Sequence, residues 1–342
     1  MQSIIYTHTG DPSVLELADR PVVDPGAGEV RVRVVTSGVN PTDWKARAGG
    51  TYGDSLPFPE ITPNQDGAGV VDAVGSGVDG LAVGDRVWLY MAAASRPTGT
   101  AQEFTVVPAS RVVALPDGVS FDVGASLGVP AMTAHRALTT HEQGPTRLSP
   151  GALTGRTVLV AGGAGAVGHA AIQLARWSGA TVVSTVSGDA KAALATAAGA
   201  HHTVNYRSDD AAAQIREFAP DGVDIVVEVS IPQNAELVSK VLANHGVVSI
   251  YANNGGDEAT LPVRPNMGIN ARYQFLLLYT IGDDALAAAA EDVTAALRDG
   301  ALPVGEEHGL PITRFPLERT ADAHAAVEAD TVGKVLVEVA PE

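Results

Sequence analysis

The chain of 342 residues contains no cysteine. That excludes a disulfide framework, a thiolate metal site and a thiol nucleophile. Basic side chains are scarce as well: 22 Lys and Arg stand against 39 Asp and Glu, a formal net charge of −17. Such a surface repels polyanions, so nucleic acid is not an expected partner, although a local basic pocket for one phosphate is compatible with it. No uninterrupted apolar stretch approaches the roughly 20 residues of a membrane span, and a membrane is not an expected partner either. Met1-Gln2-Ser3-Ile4-Ile5-Tyr6 shows no basic segment leading into an apolar run. No secretion signal is therefore expected, and the cytoplasm is the expected location. What is present is ordinary globular composition, 45% hydrophobic and 18% charged, in a chain long enough for two domains with separate cores.

The chain changes character near its first third. Val30-Arg31-Val32-Arg33-Val34-Val35 alternates with period two, and 67–75, 84–90 and 101–107 also read as short strands between turns. Prolines at 41, 57, 59, 63, 97, 108 and 116 argue against long helices here. A barrel-like β module is expected. Residues 122–142 are helical in composition, and a Gly/Pro/Ser/Thr-rich loop follows at 143–155, whose first part, Gln143–Pro150, is a longer linker than expected and has no evident role. Strands and helices then alternate strictly: strands at 157–161, 181–186, 202–205, 223–229 and 246–251, helices at 167–178, 189–198, 209–218 and 233–243. Parallel strands need crossover helices, so the pattern predicts a doubly wound α/β sheet. A further strand at 272–279, an alanine-rich helix at 283–298 and β-like segments at 311–315 and 334–339 complete the chain, the tail returning to the first module.

The clearest motif is Gly163-Ala164-Gly165-Ala166-Val167-Gly168, a G-x-G-x-x-G directly after one strand and directly before a helix. In that context the first glycine permits a tight turn, the second lets backbone N–H groups approach a pyrophosphate, and the third lets helix and strand pack closely; the helix N-terminus adds free donors and a positive dipole end. A dinucleotide is the expected cofactor. NAD sites place an Asp or Glu about 20 residues on, against the ribose 2′-hydroxyl. Here the second strand runs out at Ser187-Gly188 without a carboxylate at its tip, and Lys191 lies one turn into the next helix. Asp189 is nearby, placed as a helix cap. A hydroxyl and an ammonium suit a 2′-phosphate, so NADPH is favoured.

Read in order, Ser37-Gly38-Val39-Asn40-Pro41-Thr42-Asp43, Pro63-Asn64-Gln65-Asp66-Gly67-Ala68-Gly69-Val70-Val71, Val83-Gly84-Asp85-Arg86-Val87, Ala125-Ser126-Leu127 through Met132-Thr133-Ala134, Lys191-Ala192, Asn205-Tyr206-Arg207 and Gly333-Lys334-Val335-Leu336 resemble the zinc-independent quinone oxidoreductases of the medium-chain dehydrogenase/reductase superfamily. The resemblance covers nearly the whole chain. It implies a GroES-like β-barrel catalytic domain at 1–126 and 281–342, a Rossmann domain at 127–280, a cleft between them, and a homodimer. It also implies NADPH, with the 2′-phosphate near Ser187, Lys191 and Tyr206, and Tyr251, Asn253, Asn254 and Lys334 at the cofactor. Zinc-dependent relatives carry a Cys or similar ligand where this chain has Asn40, and a His-Glu pair where it has Gln65-Asp66, so catalytic zinc is not expected.

The chemistry expected is hydride transfer to a quinone or related conjugated carbonyl, with Asn40 at the acceptor oxygen or the nicotinamide ribose, Tyr52 lining the acceptor pocket and Thr133 facing the nicotinamide. An enone or enoyl-thioester reductase is the alternative within the same superfamily, and an NADPH-sensing protein that kept the fold is the non-enzymatic one. Asp43 and Asp66 are a possible carboxylate pair for acid–base work, although structural hydrogen bonding is the more ordinary role. Gly124-Ala125-Ser126-Leu127-Gly128 matches a hydrolase nucleophile elbow, but no strand is expected before it, as that motif requires.

Overall fold

The computed structural model describes residues 1–51, 53, 55–207 and 210–341. Two compact units divide the chain, Met1–Val129 with Ile312–Glu342, and Pro130–Pro311.

The first unit opens with strands β1 (Gln2–Ile5) and β2 (Glu16–Asp19), paired antiparallel. Strand β3 (Glu29–Val39) is its spine. The period of two is real: Val30, Val32 and Val34 are fully buried while the arginines between them are half-buried. A short helix α1 (Pro41–Arg47) follows, then β4 (Asp66–Val74), β5 (Arg86–Leu89), β6 (Phe104–Pro108) and β7 (Val112–Ala114). β4 lies along one side of β3, and β6 pairs with the N-terminal half of the other side. The helical stretch expected at 122–142 is two helices, α2 (Phe121–Gly124) and α3 (Gly128–Leu138), broken at Ala125–Leu127. Ser126 sits in that break and donates to Asp122 O at 2.7 Å, a local helix bond after a helix, not a nucleophile on a strand tip.

The second unit is a six-stranded parallel sheet. In chain order it runs β8 (Thr157–Ala161), α4 (Ala166–Trp177), β9 (Thr181–Val186), α5 (Asp189–Ala197), β10 (His202–Asn205), α6 (Ala211–Phe218), β11 (Val223–Glu228), α7 (Ile231–Val241), β12 (Leu242–Ile250), α8 (Val263–Gly268), β13 (Arg272–Phe275) and α9 (Asp283–Arg298). The spatial order is β10-β9-β8-β11-β12-β13. The chain works outward from β8 in one direction and from β11 in the other, the doubly wound arrangement whose crevice opens at the C-terminal ends of β8 and β11. Val183, Val226, Val248 and Ile215 are among the residues that form its buried core.

The alanine-rich helix α9 belongs to this second unit, packing beside α4, with Asp292 holding His135 and the linker's Arg147. The return to the first unit therefore comes at Ile312, not at 281. There β14 (Ile312–Pro316), α10 (Thr320–Glu328) and β15 (Lys334–Glu338) complete the first sheet, β15 pairing with the C-terminal half of β3. Leu317, Ala323 and Val335 share a core with Ile4 and Tyr6 from the other end of the chain.

Candidate functional site

The turn after β8 divides its work among four glycines. Gly162 has φ +70°, the left-handed conformation that a tight turn requires. The role expected of Gly163 thus falls to the glycine before it. Gly163 is instead there for space: a Cβ on it would lie 2.8 Å from Ile172 Cδ1 and 3.1 Å from Ser184 Cβ. A Cβ on Gly168 would lie 2.4 Å from Gly162 O, so this glycine lets α4 approach the turn. Gly165 differs from both. It caps α4 at φ −87° with no side-chain cap, is exposed, and a Cβ there would meet only Gly162 O, at 3.5 Å. Nothing in the chain itself demands glycine at 165. Ala166 and Val167 are half-buried, Ala164 is buried, and the first-turn N–H groups of α4 have no partner within the helix.

At the tip of β9, Ser187 is half-buried and Lys191 exposed. Among the described residues Lys191 forms no ion pair. Tyr206 joins this corner because its N–H donates to Val186 O at 3.1 Å; the residue is 41% exposed. The N-cap of α5 is Gly188, with no side-chain cap, and Asp189 is the first residue inside the helix, so the capping role expected of Asp189 is not met; its carboxylate stands in the first turn instead.

Across the switch point, Tyr251 N donates to Glu228 O and Asn254 N to Val229 O, which ties the loop after β12 to the tip of β11. Asn253 Nδ2 donates to Asp257 Oδ1 at 2.6 Å. A cavity of about 540 Å³ opens here, lined by Tyr251, Asn253, Tyr273, Phe275 and Leu277 among others. Sequence reasoning missed Glu228. It is buried, with Oε1 accepting from Ser230 N at 2.5 Å and Asn234 Nδ2 at 2.9 Å. Its Oε2 has no partner among the described residues, and burial raises the pKa of its carboxyl. Thr133 is buried in α3.

The first unit brings Asn40, Asp43, Asp66 and Lys334 together. Asn40 N donates to Asp43 Oδ2 at 2.7 Å, and Gln65 N to Asp43 Oδ1 at 3.1 Å. Asn40 Nδ2 donates to Asp66 Oδ2 at 2.7 Å, and Val129 N reaches both oxygens of Asp66 at 2.9 Å. Lys334 Nζ donates to Asn40 Oδ1 at 2.7 Å and lies 3.9 Å from Asp66 Oδ2. Burial raises the pKa of Asp43, and the charge of Asp66 adds to it. Burial also raises Asp66, against the pull of Lys334 and Asn40. Burial lowers Lys334, with Asp66 and Asp43 opposing. Lys334, expected at the cofactor, therefore has its ammonium buried inside this cluster and committed to Asn40. The Asn40 amide, expected to be free for an acceptor, is held at both ends. The two carboxylates serve as acceptors for backbone and amide N–H groups. Tyr52 lies outside the described residues.

Two family models match the chain: an alcohol dehydrogenase GroES-like domain over residues 26–117 and a zinc-binding dehydrogenase over 166–292. The quinone oxidoreductase of Rattus norvegicus is 30% identical, over 98% of this chain and 97% of that protein. The chain belongs to the quinone oxidoreductases of the medium-chain dehydrogenase/reductase superfamily. It is an oxidoreductase with a GroES-like domain and a Rossmann-like domain. Among solved structures, an NAD-dependent alcohol dehydrogenase matches with TM-score 0.86 and 30% identity, covering 99% of this chain and 100% of that one. A mycobacterial protein solved with NADPH matches with TM-score 0.80 and 28% identity, covering 99% of each chain.

One family model's description raises the question of zinc, and the residues of this chain do not fit it. The cluster offers an amide, two carboxylates that already accept N–H bonds, and an ammonium 3.9 Å from Asp66 Oδ2 that would repel a metal cation. Among the described residues no three His, Cys, Asp or Glu side chains converge as a metal site, and no helix is long and apolar enough to cross a membrane.

Proposed function

We propose that this oxidoreductase transfers hydride from NADPH to a quinone or related conjugated carbonyl without a metal. The observation that carries the cofactor is the pairing of an open Gly165 with an acid-free strand tip. A pyrophosphate would be cradled by the N–H groups over Gly163, Ala164, Gly165, Ala166, Val167 and Gly168; of these three glycines, Gly165 is the one whose Cβ position the chain leaves open. Ser187, Lys191 and Tyr206 would hold a 2′-phosphate; Tyr251, Asn253 and Asn254 would border the nicotinamide half, and Thr133 would face its ring. NADPH, when bound, supplies the hydride. The protein's part is to orient the acceptor: Asn40, fixed by Asp66 and Lys334, would donate to its oxygen, Tyr52 would line its pocket, and solvent would supply the final proton.

An enone or enoyl-thioester reductase uses the same machinery and remains the second reading; an NADPH-sensing protein would bind the cofactor without oxidising it. The protein is proposed to act in the cytoplasm on a small molecule, as a homodimer. The edge strand β13 supports the dimer: Phe275 and Leu277 on and after it, and Val263 and Met267 on α8, are exposed. The test is NADPH oxidation with quinones, small enones and an enoyl thioester, repeated with NADH, alongside sedimentation for the dimer. Faster turnover of quinones with NADPH is the expected result. Equal rates with NADH would sink the role given to Ser187 and Lys191, and NADPH binding without turnover would favour the sensor.

A further inference from the structure

The residues that do not fit zinc also place the Lys334 ammonium in the same cluster. Lys334, Asn40 and Asp66 close a triangle: ammonium to amide oxygen 2.7 Å, amide nitrogen to carboxylate 2.7 Å, ammonium to the same carboxylate oxygen 3.9 Å. The side chains of Lys334 and Asp66 are 1% and 0% exposed. Burying such a pair is costly, and an apolar residue at the start of β15, like the Val335, Leu336 and Val337 that follow, would avoid the cost. The backbone is also shaped for it. A Cβ on Gly128 would stand 2.0 Å from Asp66 Oδ1, and one on Gly38, which the Ala125 carbonyl at 2.1 Å already forbids, would also crowd Lys334 Nζ at 3.2 Å.

The consequence falls on Asn40. A cation at its oxygen and an anion at one of its amide hydrogens draw charge along the amide in the same sense. They also forbid the flipped amide, which would set NH₂ against ammonium and oxygen against carboxylate. The second Nδ2 hydrogen takes part in neither bond.

We propose that Lys334 replaces a metal cation in this reductase: acting through Asn40 as a positioning residue, it polarises the amide and aims its second Nδ2–H at the acceptor's carbonyl oxygen. This role rests on the reading that the acceptor meets Asn40. For an enone, hydride from NADPH forms the new C–H bond at the β-carbon while the C–H bond at the nicotinamide breaks. The displaced electron pair ends on the carbonyl oxygen as an enolate, NADPH leaves as NADP⁺, and a solvent proton neutralises the product. Lys334 exchanges no proton in this step. The polarised N–H strengthens where charge develops, as an oxyanion donor does.

The test removes both charges together, so that neither is left buried alone: Lys334→Met with Asp66→Asn, and Lys334→Gln with Asp66→Asn should the first not fold. Folding is checked by circular dichroism and thermal unfolding, and NADPH affinity by fluorescence. Rates are measured for a quinone and for aryl enones graded by ring substituent. The expected result is folded protein, NADPH Kd within about twofold, and kcat reduced by about 30-fold or more for the least electrophilic enone but much less for the quinone. A structural role would lower all acceptors by one common factor, and that result, or unchanged kcat, overturns the proposal. A readout free of turnover is the infrared carbonyl stretch of the saturated ketone product bound with NADP⁺. It should be red-shifted in the wild type and less so in the double variants; equal frequencies overturn the proposal. A wild type that oxidises NADPH with no acceptor refutes the reaction itself and this role with it. Normal wild-type turnover with variant rates unchanged refutes only the role.

Discussion

Gly165→Ala should separate cofactor binding from folding. The residue caps α4 at φ −87°, which any L-residue adopts, and the new methyl would touch only Gly162 O at 3.5 Å, an ordinary contact. Alanine is a poor N-cap, which costs up to about 1 kcal/mol. Loss of glycine's freedom in the unfolded chain returns about 0.4–1 kcal/mol. The net change in Tm should therefore stay within about 3 °C. The same methyl stands where the backbone would meet the pyrophosphate, and losing one or two charge-assisted N–H bonds, about 1.5–3 kcal/mol each, weakens binding by about 10- to 100-fold or more. Gly168→Ala is the contrast. Its Cβ would lie 2.4 Å from Gly162 O and 2.9 Å from Gly163 Cα, both backbone, so the turn itself must open and Tm should drop well beyond the Gly165 variant. The assay is NADPH fluorescence titration beside thermal unfolding for both variants. Wild-type NADPH affinity in Gly165→Ala, or a loss of stability there equal to that of Gly168→Ala, would refute the division of labour among these glycines.

Lys191→Ala should weaken NADPH by about five- to tenfold while leaving NADH affinity unchanged, as competitive titration will show; an equal loss for both removes Lys191 from the 2′-phosphate. Burial holds the pKa of His324 down at about 3, with Arg47 adding to it, and that of His169 at about 4. Both pKa values are depressed, so the stability they contribute is full above the unfolded value near 6.5 and is lost as pH falls below it, by up to about 1.4 kcal/mol per pH unit for each group. Asp43 and Asp66, whose pKa values are raised, work in the opposite sense, so the check is the difference in urea-unfolding slopes between wild type and His324→Gln from pH 7 to 4.5, which should be shallower in the variant. Asp292→Ala should cost about 2–4 kcal/mol, because the carboxylate accepts from His135, Arg147 and Leu148 N; burial alone would raise its pKa, but these bonds hold it at about 2. Its Tm should fall with NADPH Kd unchanged, which would give the linker around Arg147 a structural role; a change in Kd would argue otherwise.

Much of this fold is written in local patterns. The alternation of Val30, Val32 and Val34 declares a half-buried strand, and the regular alternation of strand and helix from 157 onward declares the parallel sheet. The glycine turn is equally plain, yet with Gly162 and Gly163 adjacent, only backbone angles tell which one turns the chain. Other features depend on contacts remote in sequence. The alanine-rich α9 carries nothing that names the unit it packs on; Asp292 meeting His135, 157 positions away, decides that. The resemblance implies Lys334 at the cofactor, and Asp66 reads as half of a carboxylate pair or a hydrogen-bonding residue; the cluster that joins them runs through Asn40, 294 residues from Lys334. Glu228 ends an apolar strand where a carboxylate is usually solvated.

The first unit is completed by β15, and β15 leaves the ribosome only after all of 130–311 has been made. Until then the C-terminal half of β3 is paired with β4 on one side and open on the other, and Asp43 and Asp66 have no ammonium to offset them. The second unit is contiguous and can fold as it emerges. During synthesis the acidic pocket must therefore stay hydrated or protonated, and premature termination before residue 334 would leave a finished nucleotide-type sheet joined to a first unit with unbalanced buried charge. Such a fragment should be a ready substrate for proteolysis, and the late arrival of one lysine becomes a check that synthesis has reached β15.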